Sequence, residues 1–353
     1  MSKLAFIRPA VRAMAGYVPG EQPQGGGFIK LNTNENPYPP PPPVREAIAA
    51  CASDDMRLYP DPMANALRDV AAARYDLPRD HIIAGNGSDD LLAIVMRACI
   101  DPGDRVVYPM PTYSLYDTLV DIAGATAVHL SWPEDWRLPG DLVAAAGRVT
   151  ILCNPNAPSG TFVEVDALAD LARALPGLLV VDEAYVDFAA DSALRLVRQH
   201  HNLLVLRTLS KSFSLAGLRV GLGFAQPALI AELGKVKDSY NLSRVSIAAG
   251  AAALGDVDTM HAHVARVVAT RARLIAGLRA LGYSVPDSHA NFVLARRLGV
   301  DQRPVYEALK ARKILVRYFA VDGLRDALRI TVGTDEEIDA LLAALTALRA
   351  EAR

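Results

Sequence analysis

Short apolar runs that alternate with helical stretches are the feature that most restricts the fold of this sequence. The runs are four or five residues long and almost free of polar residues. A strand with one face in water alternates apolar and polar residues, whereas a strand covered on both faces is apolar throughout. The pattern therefore predicts an α/β fold in which a mostly parallel sheet is flanked by helices. The predicted strands are residues 105–108, 149–153, 178–181, 203–206 and 220–224.

The C-terminal third has a different organisation. A long helical stretch over residues 247–281 leads into a region where short strands and helices are mixed. This change predicts a large domain at residues 46–246 and a smaller α/β C-terminal domain at residues 247–353. The predicted helices are residues 44–52, 65–75, 89–99, 304–311 and 335–349, and the C-terminal strands are residues 291–294, 314–317 and 328–332.

The first 45 residues predict an irregular arm that packs with the small domain. They contain three consecutive glycines and five consecutive prolines, which rule out long helices and central strands. A disordered tail is the alternative. The polar motif at residues 32–37, Asn-Thr-Asn-Glu-Asn-Pro, favours an ordered arm.

Charge and cysteine content exclude several classes of function. The net charge is -2, from 37 basic and 39 acidic residues, so we expect no nucleic-acid or membrane partner. The three cysteines are widely spaced and predict neither a disulfide framework nor a metal site. No signal-like segment or membrane-spanning run is evident, and we expect a cytoplasmic protein.

Lys211 is the first candidate catalytic residue. Lysine is scarce, with seven against thirty arginines, and Lys211 directly follows a predicted strand. Ligands of parallel α/β sheets bind at the carboxyl ends of strands, where a lysine can form an imine with an aldehyde cofactor. Ser210 and Arg219 suit a phosphate group, one as a hydroxyl donor and the other as a guanidinium fork. A solvated surface lysine is the alternative.

Asp182 and Tyr185 follow another apolar strand. A carboxylate at that position can keep a ring nitrogen protonated, and Tyr185 can donate to a phenolic oxygen on the same ring. A metal-binding aspartate would look the same. However, the phosphate-binding loop that accompanies such an aspartate, Gly-x-x-x-x-Gly-Lys-Ser/Thr, is absent from the sequence.

Two further segments fit a ring that carries a phosphate. Small residues at 84–87 precede an apolar helix, whose first N–H groups can bind an anion. Tyr113, in a proline-rich loop, can stack on a planar ring. The alternatives are an ordinary turn with an aspartate cap, and a core aromatic residue.

Together these motifs resemble the fold-type I aminotransferases, which depend on pyridoxal 5'-phosphate, and look most like the histidinol-phosphate aminotransferases among them. The resemblance covers nearly the whole chain, and the motifs stand in the family's order. They lie at residues 32–37, 59–62, 85–89, 111–116, 154–160, 182–185, 210–219 and 328–334.

The resemblance implies a role for each of these residues. Lys211 would carry the cofactor and move the substrate proton, Asp182 would pair with the ring nitrogen, and Tyr185 would contact the phenolic oxygen. Tyr59 would reach the phosphate from a neighbouring subunit, which implies a homodimer with shared active sites. The other implied cofactor residues are Ser88, Asp89, Tyr113, Asn156, Ser210 and Arg219.

One motif departs from the family. Where the family has Asn-Pro-Thr-Gly, this sequence has Ala157-Pro-Ser-Gly, so the asparagine that usually bonds the phenolic oxygen is missing. Asn156, one residue earlier, is the candidate substitute. Loss of one neutral hydrogen bond costs about 0.5–1.5 kcal/mol, which would tune the cofactor rather than prevent its binding.

The resemblance also implies the substrates. Tyr17, Asn34, Arg317 and Arg329 match the family's substrate-binding positions. Two arginines and a tyrosine suit a phosphate monoester, and Arg329 would also accept the carboxylate of 2-oxoglutarate. Three alternatives of the same fold stay open: an aromatic or broad-specificity aminotransferase, a threonine-phosphate-type decarboxylase, and a ligand-sensing regulator that would need an attached DNA-binding domain.

Overall fold

The alternating apolar runs form a seven-stranded sheet. The structure is a computed structural model that describes residues 6–17, 19–23 and 25–351. Residues 1–5, 18 and 24 of the predicted arm and residues 352 and 353 of the predicted small domain lie outside these ranges. The strands of the sheet are β2 (Ile82–Gly85), β3 (Arg105–Met110), β4 (Thr126–Ser131), β5 (Val149–Cys153), β6 (Leu178–Asp182), β7 (Leu203–Thr208) and β8 (Gly221–Phe224).

The sheet is mostly parallel, as predicted. Its strand order is β2-β8-β7-β6-β5-β3-β4, and β8 runs antiparallel to both of its neighbours. The five predicted strands are confirmed within two residues at each end, whereas β2 and β4 were not predicted. Because β3, β5, β6 and β7 are parallel, their carboxyl ends lie along one edge of the sheet.

Helices cover both faces of the sheet. Adjacent residues of one strand, such as Val180 and Val181, belong to different buried clusters, because side chains alternate between the two faces. The α-helices that lie before residue 256 are α1 (Pro9–Ala13), α2 (Pro42–Ala50), α3 (Asn65–Tyr75), α4 (Ser88–Cys99), α5 (Leu115–Ala123), α6 (Val165–Ala174), α7 (Pro227–Val236) and α8 (Arg244–Gly255).

The C-terminal part forms a second, smaller layer of strands and helices. Strands β9 (Phe292–Arg296), β11 (Arg317–Tyr318) and β12 (Ala327–Thr331) make an antiparallel sheet of order β11-β12-β9. The predicted helical stretch 247–281 is broken at Asp256, whose side chain accepts from the backbone N–H of Thr259 and starts a new helix. The helices here are α9 (Val257–Ala280), α10 (Arg303–Ala311) and α11 (Asp335–Glu351).

A short strand of the N-terminal arm pairs with the C-terminal part of the chain. Strand β1 (Ile29–Lys30) pairs in parallel with β10 (Ile314–Leu315). Helix α2 begins at Pro42, inside the segment predicted as arm, because proline is tolerated in the first turn, where its missing N–H is not needed. The domain boundaries at 45/46 and 246/247 stay predictions. None of the helices in the described ranges is long and apolar enough to span a bilayer.

Candidate active site

Lys211 lies in the loop that follows β7, at the carboxyl edge of the sheet. Its Nζ donates to the backbone oxygen of Thr33 at 3.4 Å and lies 5.7 Å from the centre of the Tyr185 ring. Asn36 of the arm fixes the loop, since its Nδ2 donates to the backbone oxygens of Lys211 and Ser212 at 3.0 and 3.1 Å. The arm and the lysine loop therefore form one wall of the site.

The environment of Lys211 favours its neutral form. Burial, followed by the positive charge of Arg329, lowers the pKa of Lys211 to about 8, although Glu35 and Asp89 act in the opposite direction. A neutral amine is the form that attacks a carbonyl or accepts a proton. Lys211 can therefore serve as a nucleophile or base near neutral pH.

Asp182 ends β6 and is almost fully buried. Tyr116, on α5, donates its hydroxyl proton to Asp182 Oδ2 at 2.8 Å, and the backbone N–H of Ala184 donates to Oδ1 at 3.2 Å. Burial raises the pKa of Asp182 to about 6, against the lowering effect of the Tyr116 hydrogen bond. A carboxylate held this way, away from water, is suited to pair with a protonated ring nitrogen.

Hydrogen-bond donors that suit an anion lie together where α4 begins. Ser88 is the first helical residue, so its backbone N–H and that of Asp89 have no partner inside the helix. Arg219 lies beside this helix end: its Nη1 donates to Ser210 Oγ at 3.3 Å and its Nη2 donates to Asp89 at 3.1 Å. Thr208 Oγ1 donates to Ser210 Oγ at 2.9 Å, which leaves the Ser210 proton available for a ligand.

Two glycines leave space beside these donors. A Cβ added at Gly87 would lie 2.6 Å from Arg219 Nη2, and one at Gly221 would lie 2.4 Å from the Gly87 backbone carbon. Gly87 also has a φ of +88°, a conformation that side chains disfavour. Any larger residue would push Arg219 or the start of α4 out of its present position.

Tyr113 lies between the arm and the sheet. Its hydroxyl donates to Asp89 at 3.3 Å, and its ring makes edge contacts with Tyr17 and Tyr116 at centroid distances of 5.8 and 5.6 Å. Tyr17 is more than one-third exposed, which places it at the mouth of the site. The structure thus brings Tyr113, the predicted ring-stacking residue, into contact with Tyr17, a predicted substrate-binding residue.

Asn156, in the loop that departs from the family motif, forms three side-chain hydrogen bonds. Asn156 Nδ2 donates to the Pro111 carbonyl at 3.2 Å and to Ser159 Oγ at 2.9 Å, while its Oδ1 accepts from Thr112 at 3.0 Å. Both ends of the Asn156 side chain are therefore bonded to the protein. Ala157 is buried and carries no polar group.

Two arginines extend from neighbouring strands of the small sheet. Arg317 on β11 is the register partner of Arg329 on β12, so the two side chains lie on the same face. Arg329 Nη2 donates to the Asn32 carbonyl at 3.2 Å, while its buried Nε has no partner. Burial lowers the pKa of Arg329, and Arg317 lowers it further, which marks this face as strongly cationic.

Of the remaining predicted residues, Asn34 contacts Tyr185, whereas Tyr59 lies on the exposed surface. Asn34 Nδ2 donates to Tyr185 Oη at 3.0 Å, so both belong to the site. Tyr59 is 78% exposed and stacks on Tyr240 at a centroid distance of 4.4 Å. No contact among the described residues joins Tyr59 to Lys211 or Asp182.

Sequence reasoning missed several residues that contact the predicted ones. Tyr116 and Thr331 were inside quoted motifs but had no assigned role, and Asn36 was treated only as part of the arm motif. Phe319 lies against both predicted substrate-binding arginines, with its ring centre 5.4 Å from the Arg317 guanidinium and 5.6 Å from that of Arg329. The partners of Asn36, Tyr116 and Thr331 are 175, 66 and 297 residues away, so only the folded chain reveals these pairings. Across the described ranges, no cluster of histidine, cysteine or acidic residues could hold a metal ion.

The fold and this constellation define an enzyme that transfers amino groups. The family model of class I and II aminotransferases matches residues 27–345, and the chain belongs to this family. A histidinol-phosphate aminotransferase of Trichormus variabilis is 48% identical over 96% of this chain and 98% of its own length. One from Rhodopirellula baltica is 47% identical over 95% of this chain and 93% of its own length.

Solved structures agree with this assignment. A histidinol-phosphate aminotransferase of Sinorhizobium meliloti, crystallised in complex with pyridoxal 5'-phosphate, superimposes with a TM-score of 0.89 at 27% identity, over 98% of this chain and 99% of the other. An aspartate aminotransferase variant of Thermus thermophilus has the same fold, with a TM-score of 0.81 at 20% identity, over 96% of this chain and 98% of the other. The prediction of a fold-type I aminotransferase is confirmed.

Proposed function

We propose that this chain transfers the amino group of L-histidinol phosphate to 2-oxoglutarate, giving imidazole-acetol phosphate and glutamate, with pyridoxal 5'-phosphate as its cofactor. This is a step of histidine biosynthesis. Full-length relatives that carry this activity in their names support the reaction, at 48% and 47% identity. The pair of register-matched arginines, Arg317 and Arg329, carries the choice of a phosphorylated substrate.

The described residues fit the cofactor on structural grounds. The α4 helix start, Ser210 and Arg219 offer donors for its phosphate, and the glycines at 87 and 221 leave the space that an anion needs. Asp182 would hold the ring nitrogen, Tyr185 the phenolic oxygen, and Tyr113 one face of the ring. When bound, pyridoxal phosphate would supply an electron sink for the negative charge that develops at the substrate Cα.

The side chains of this chain supply the proton chemistry. Lys211 Nζ, with its pKa lowered to about 8, would accept the proton from the substrate Cα and return it on the other side of the reaction. Asp182, kept from water by the sheet and by Tyr116, would keep the ring nitrogen charged. Asn156 would support the loop beside the ring through its bonds to Pro111 and Ser159.

The substrate would be held by its charges. A phosphate monoester carries nearly two negative charges and matches two guanidinium forks better than one carboxylate does. Arg329 would bind the carboxylate of glutamate or 2-oxoglutarate in the other half-reaction, with Asn34 beside it. Tyr17, at the mouth of the site, would close over the bound substrate. We further propose a cytoplasmic homodimer in which Tyr59 serves the partner's site.

The experiment compares amino donors with the wild type and with Arg317→Ala. We expect histidinol phosphate to be the preferred donor, ahead of phenylalanine and threonine phosphate. Loss of one charge-assisted contact corresponds to about 1.5–3 kcal/mol, so the variant should lose roughly 10- to 100-fold in kcat/KM for histidinol phosphate and much less for glutamate. Arg325→Ala, at an exposed ion pair with Asp322 on the same domain, is the matched control and should change neither value.

Three results would contradict this function. If Arg317→Ala weakened both donors equally, the reason for assigning a phosphorylated substrate would be lost. If phenylalanine were preferred by the wild type, an aromatic aminotransferase would replace the assignment. Release of carbon dioxide from threonine phosphate would instead identify a decarboxylase.

A further inference from the structure

The replacement of the family asparagine by Ala157 leaves Tyr185 as the sole remaining family donor to the cofactor phenolic oxygen. A phenol donates usefully only if its proton points at the ligand. Tyr185 is nine-tenths buried, and its oxygen has one hydrogen-bond partner among the described residues, Asn34 Nδ2 at 3.0 Å. The direction of this bond decides where the Tyr185 proton goes.

Asn34 is held rigidly where the arm meets the small sheet. Its φ of +57° places it in the left-handed region, which asparagine tolerates better than most residues. Its backbone N–H donates to Thr331 Oγ1 at 2.9 Å, and its backbone oxygen accepts from Asn291 Nδ2 at 3.0 Å. Asn34, Thr331 and Asn291 are all at least 97% buried, so water cannot replace these bonds.

Thr331 determines which way the Asn34 amide faces. The Thr331 oxygen already accepts from the Asn34 backbone, and its own proton goes to Asn34 Oδ1 at 3.1 Å. If the amide were reversed, the buried Thr331 proton would lose this acceptor. Leaving a buried donor unpaired costs about 1–3 kcal/mol, so the observed orientation is favoured. Asn34 therefore presents its NH₂ group, a donor, to Tyr185.

This orientation forces the Tyr185 proton toward the site. Since Asn34 donates into the phenol oxygen, the Tyr185 hydroxyl cannot donate back to Asn34 and must use another acceptor. A hydroxyl whose oxygen accepts a hydrogen bond also becomes a stronger donor. The chain Thr331→Asn34→Tyr185 thus runs from the small sheet through the arm to the cofactor side of the large domain.

We propose that Asn34 is a positioning residue that makes Tyr185 an obligatory donor to the cofactor phenolic oxygen and so compensates for Ala157. This inference rests on the proposed function, because it assumes that pyridoxal phosphate binds beside Tyr185. It assigns to Asn34 a task separate from contact with the substrate. Asn34 acts through Tyr185 and need not touch the cofactor.

The test is a double-mutant cycle read by absorbance rather than by activity. The visible absorbance of the cofactor-loaded enzyme changes with pH as the Lys211 nitrogen loses its proton. A donor on the phenolic oxygen stabilises the deprotonated form, so its removal raises the pH midpoint of this change. The variants are Asn34→Asp, Tyr185→Phe and the double variant, each saturated with pyridoxal phosphate.

Asn34→Asp has nearly the same shape but replaces the donor with an acceptor. Tyr185 would then donate to the new carboxylate instead of to the cofactor. We expect Tyr185→Phe alone to raise the midpoint by about one pH unit. Asn34→Asp should raise it by at least as much, but in the Tyr185→Phe background it should add only the smaller direct effect of its charge.

A milder pair of variants covers the case in which Asn34→Asp does not fold. Thr331→Val removes the hydroxyl that orients the amide, and Thr331→Ser restores it. We expect the valine variant to raise the midpoint by roughly a few tenths of a unit, and the serine variant to return it to the wild-type value.

The outcomes separate this inference from the proposed function. If wild type binds no pyridoxal phosphate and shows no titrating absorbance, the proposed function fails. If wild type and Tyr185→Phe behave as expected but Asn34→Asp shifts the midpoint equally in both backgrounds, only the role of Asn34 is refuted. A midpoint unchanged by Thr331→Val would refute it as well.

Discussion

Lys211 is partly buried and Asp182 is buried, and the loss of water moves their pKa values in opposite directions, down to about 8 and up to about 6. Each shift favours the neutral form of the side chain. Nearby groups then adjust the two pKa values: Arg329 further lowers that of Lys211, and Tyr116 limits the rise at Asp182. The pKa values of both side chains therefore depend on neighbouring residues as well as on burial.

For Lys211 the pKa predicts how the apoenzyme captures its cofactor. Only the neutral amine attacks an aldehyde, and a pKa of about 8 leaves roughly a tenth of the amine neutral at pH 7. We expect the rate of pyridoxal phosphate capture, followed by stopped-flow absorbance, to rise with pH and to level off above about pH 9. N-acetyl-lysine methyl amide is the control, and its rate should keep rising to about pH 10.4. The same late rise in the apoenzyme would contradict the lowered pKa.

For Asp182 the prediction concerns Tyr116→Phe. Loss of the 2.8 Å hydrogen bond should raise the pKa of Asp182 above its present value of about 6, so that more of the carboxyl is protonated at pH 7. A protonated Asp182 cannot neutralise a charged ring nitrogen. We therefore expect cofactor affinity to fall by about 10-fold at pH 7, more at pH 6, and little above pH 9.

Tyr108→Phe is the matched control for this variant. Tyr108 is as buried as Tyr116 and packs against it, but its hydroxyl donates to Asp117 at 2.6 Å instead of to Asp182. Affinity measured by absorbance titration should stay at the wild-type value. Equal losses in the two variants would show that core packing, and not the bond to Asp182, is responsible.

Some residues of the site could be proposed from the sequence, whereas the roles of others could not. Lys211, Asp182 and Arg219 could be proposed as site residues because each stands in a motif next to a strand or glycine turn. Tyr116 and Thr331 could not be given roles, because their partners lie 66 and 297 residues away. A motif fixes the type of side chain, whereas these contacts exist only after the strands have paired.

A buried ionic network joins β7 to the loop that follows the carboxyl end of β6. Arg207 on β7 pairs with Glu183 at 3.2 Å and with Asp187 at 2.9 Å, and its side chain is only 10% exposed. Ser212, next to Lys211, donates to Asp187. Burial raises the pKa of Glu183, while Arg207 opposes that rise. The network thus ties the loop that carries Lys211 to the loop that carries Tyr185.

Removal of Arg207 should therefore destabilise the whole fold. Arg207→Leu leaves two carboxylates unpaired in the interior, which costs about 3–5 kcal/mol of unfolding free energy. Without Arg207 the pKa of Glu183 rises further, so the native state binds more protons than the unfolded state. The loss should consequently be larger at pH 8 than at pH 5.5. Urea denaturation at fixed protein concentration measures both values.

Arg195→Leu provides the comparison for this variant. Arg195 pairs with Asp166 and Asp191, but all three side chains are at least 45% exposed. Exposed ion pairs contribute little to stability, so the unfolding free energy of this variant should stay close to that of wild type. A similar small loss for Arg207→Leu would mean that water reaches the network.

Most of the elements themselves could be predicted from the sequence. Strand β5 and helix α3 match their predicted limits, because a continuous apolar run and a clear helical period leave one solution. Strand β4 was missed because it lies at the sheet edge and mixes polar residues such as Thr126 and His129 with apolar ones. The break at Asp256 was missed because its cap lies within a region of continuous helical character.

Tyr59 lies on the surface of the molecule, away from the other predicted site residues. Tyr59 is exposed beside Tyr240, and Met56 and Leu58 in the same segment are also exposed. Large exposed apolar side chains that lie together are typical of an interaction surface. These observations support the proposed homodimer, in which Tyr59 of one subunit binds the cofactor phosphate of the other.

A complementation experiment tests this arrangement. Lys211→Ala removes the proposed reactive amine, and Tyr59→Ala would remove the proposed phosphate contact, whose loss corresponds to about 1.5–3 kcal/mol, or roughly 10- to 100-fold in cofactor affinity. If the site is shared, a mixed dimer of the two variants has one site with both residues intact and one site lacking both. Random pairing makes half of the dimers mixed, so about a quarter of all sites should be restored.

Activity is measured after the two variants are unfolded and refolded together, at a cofactor concentration that saturates only an intact site. We expect about a quarter of wild-type activity from the refolded mixture, against little from either variant refolded alone. Mixing the two folded variants without refolding controls for simple addition. If Tyr59 instead serves its own subunit, every site in a mixed dimer lacks one residue. Refolding together would then restore nothing, and the proposal of shared sites would have to be abandoned.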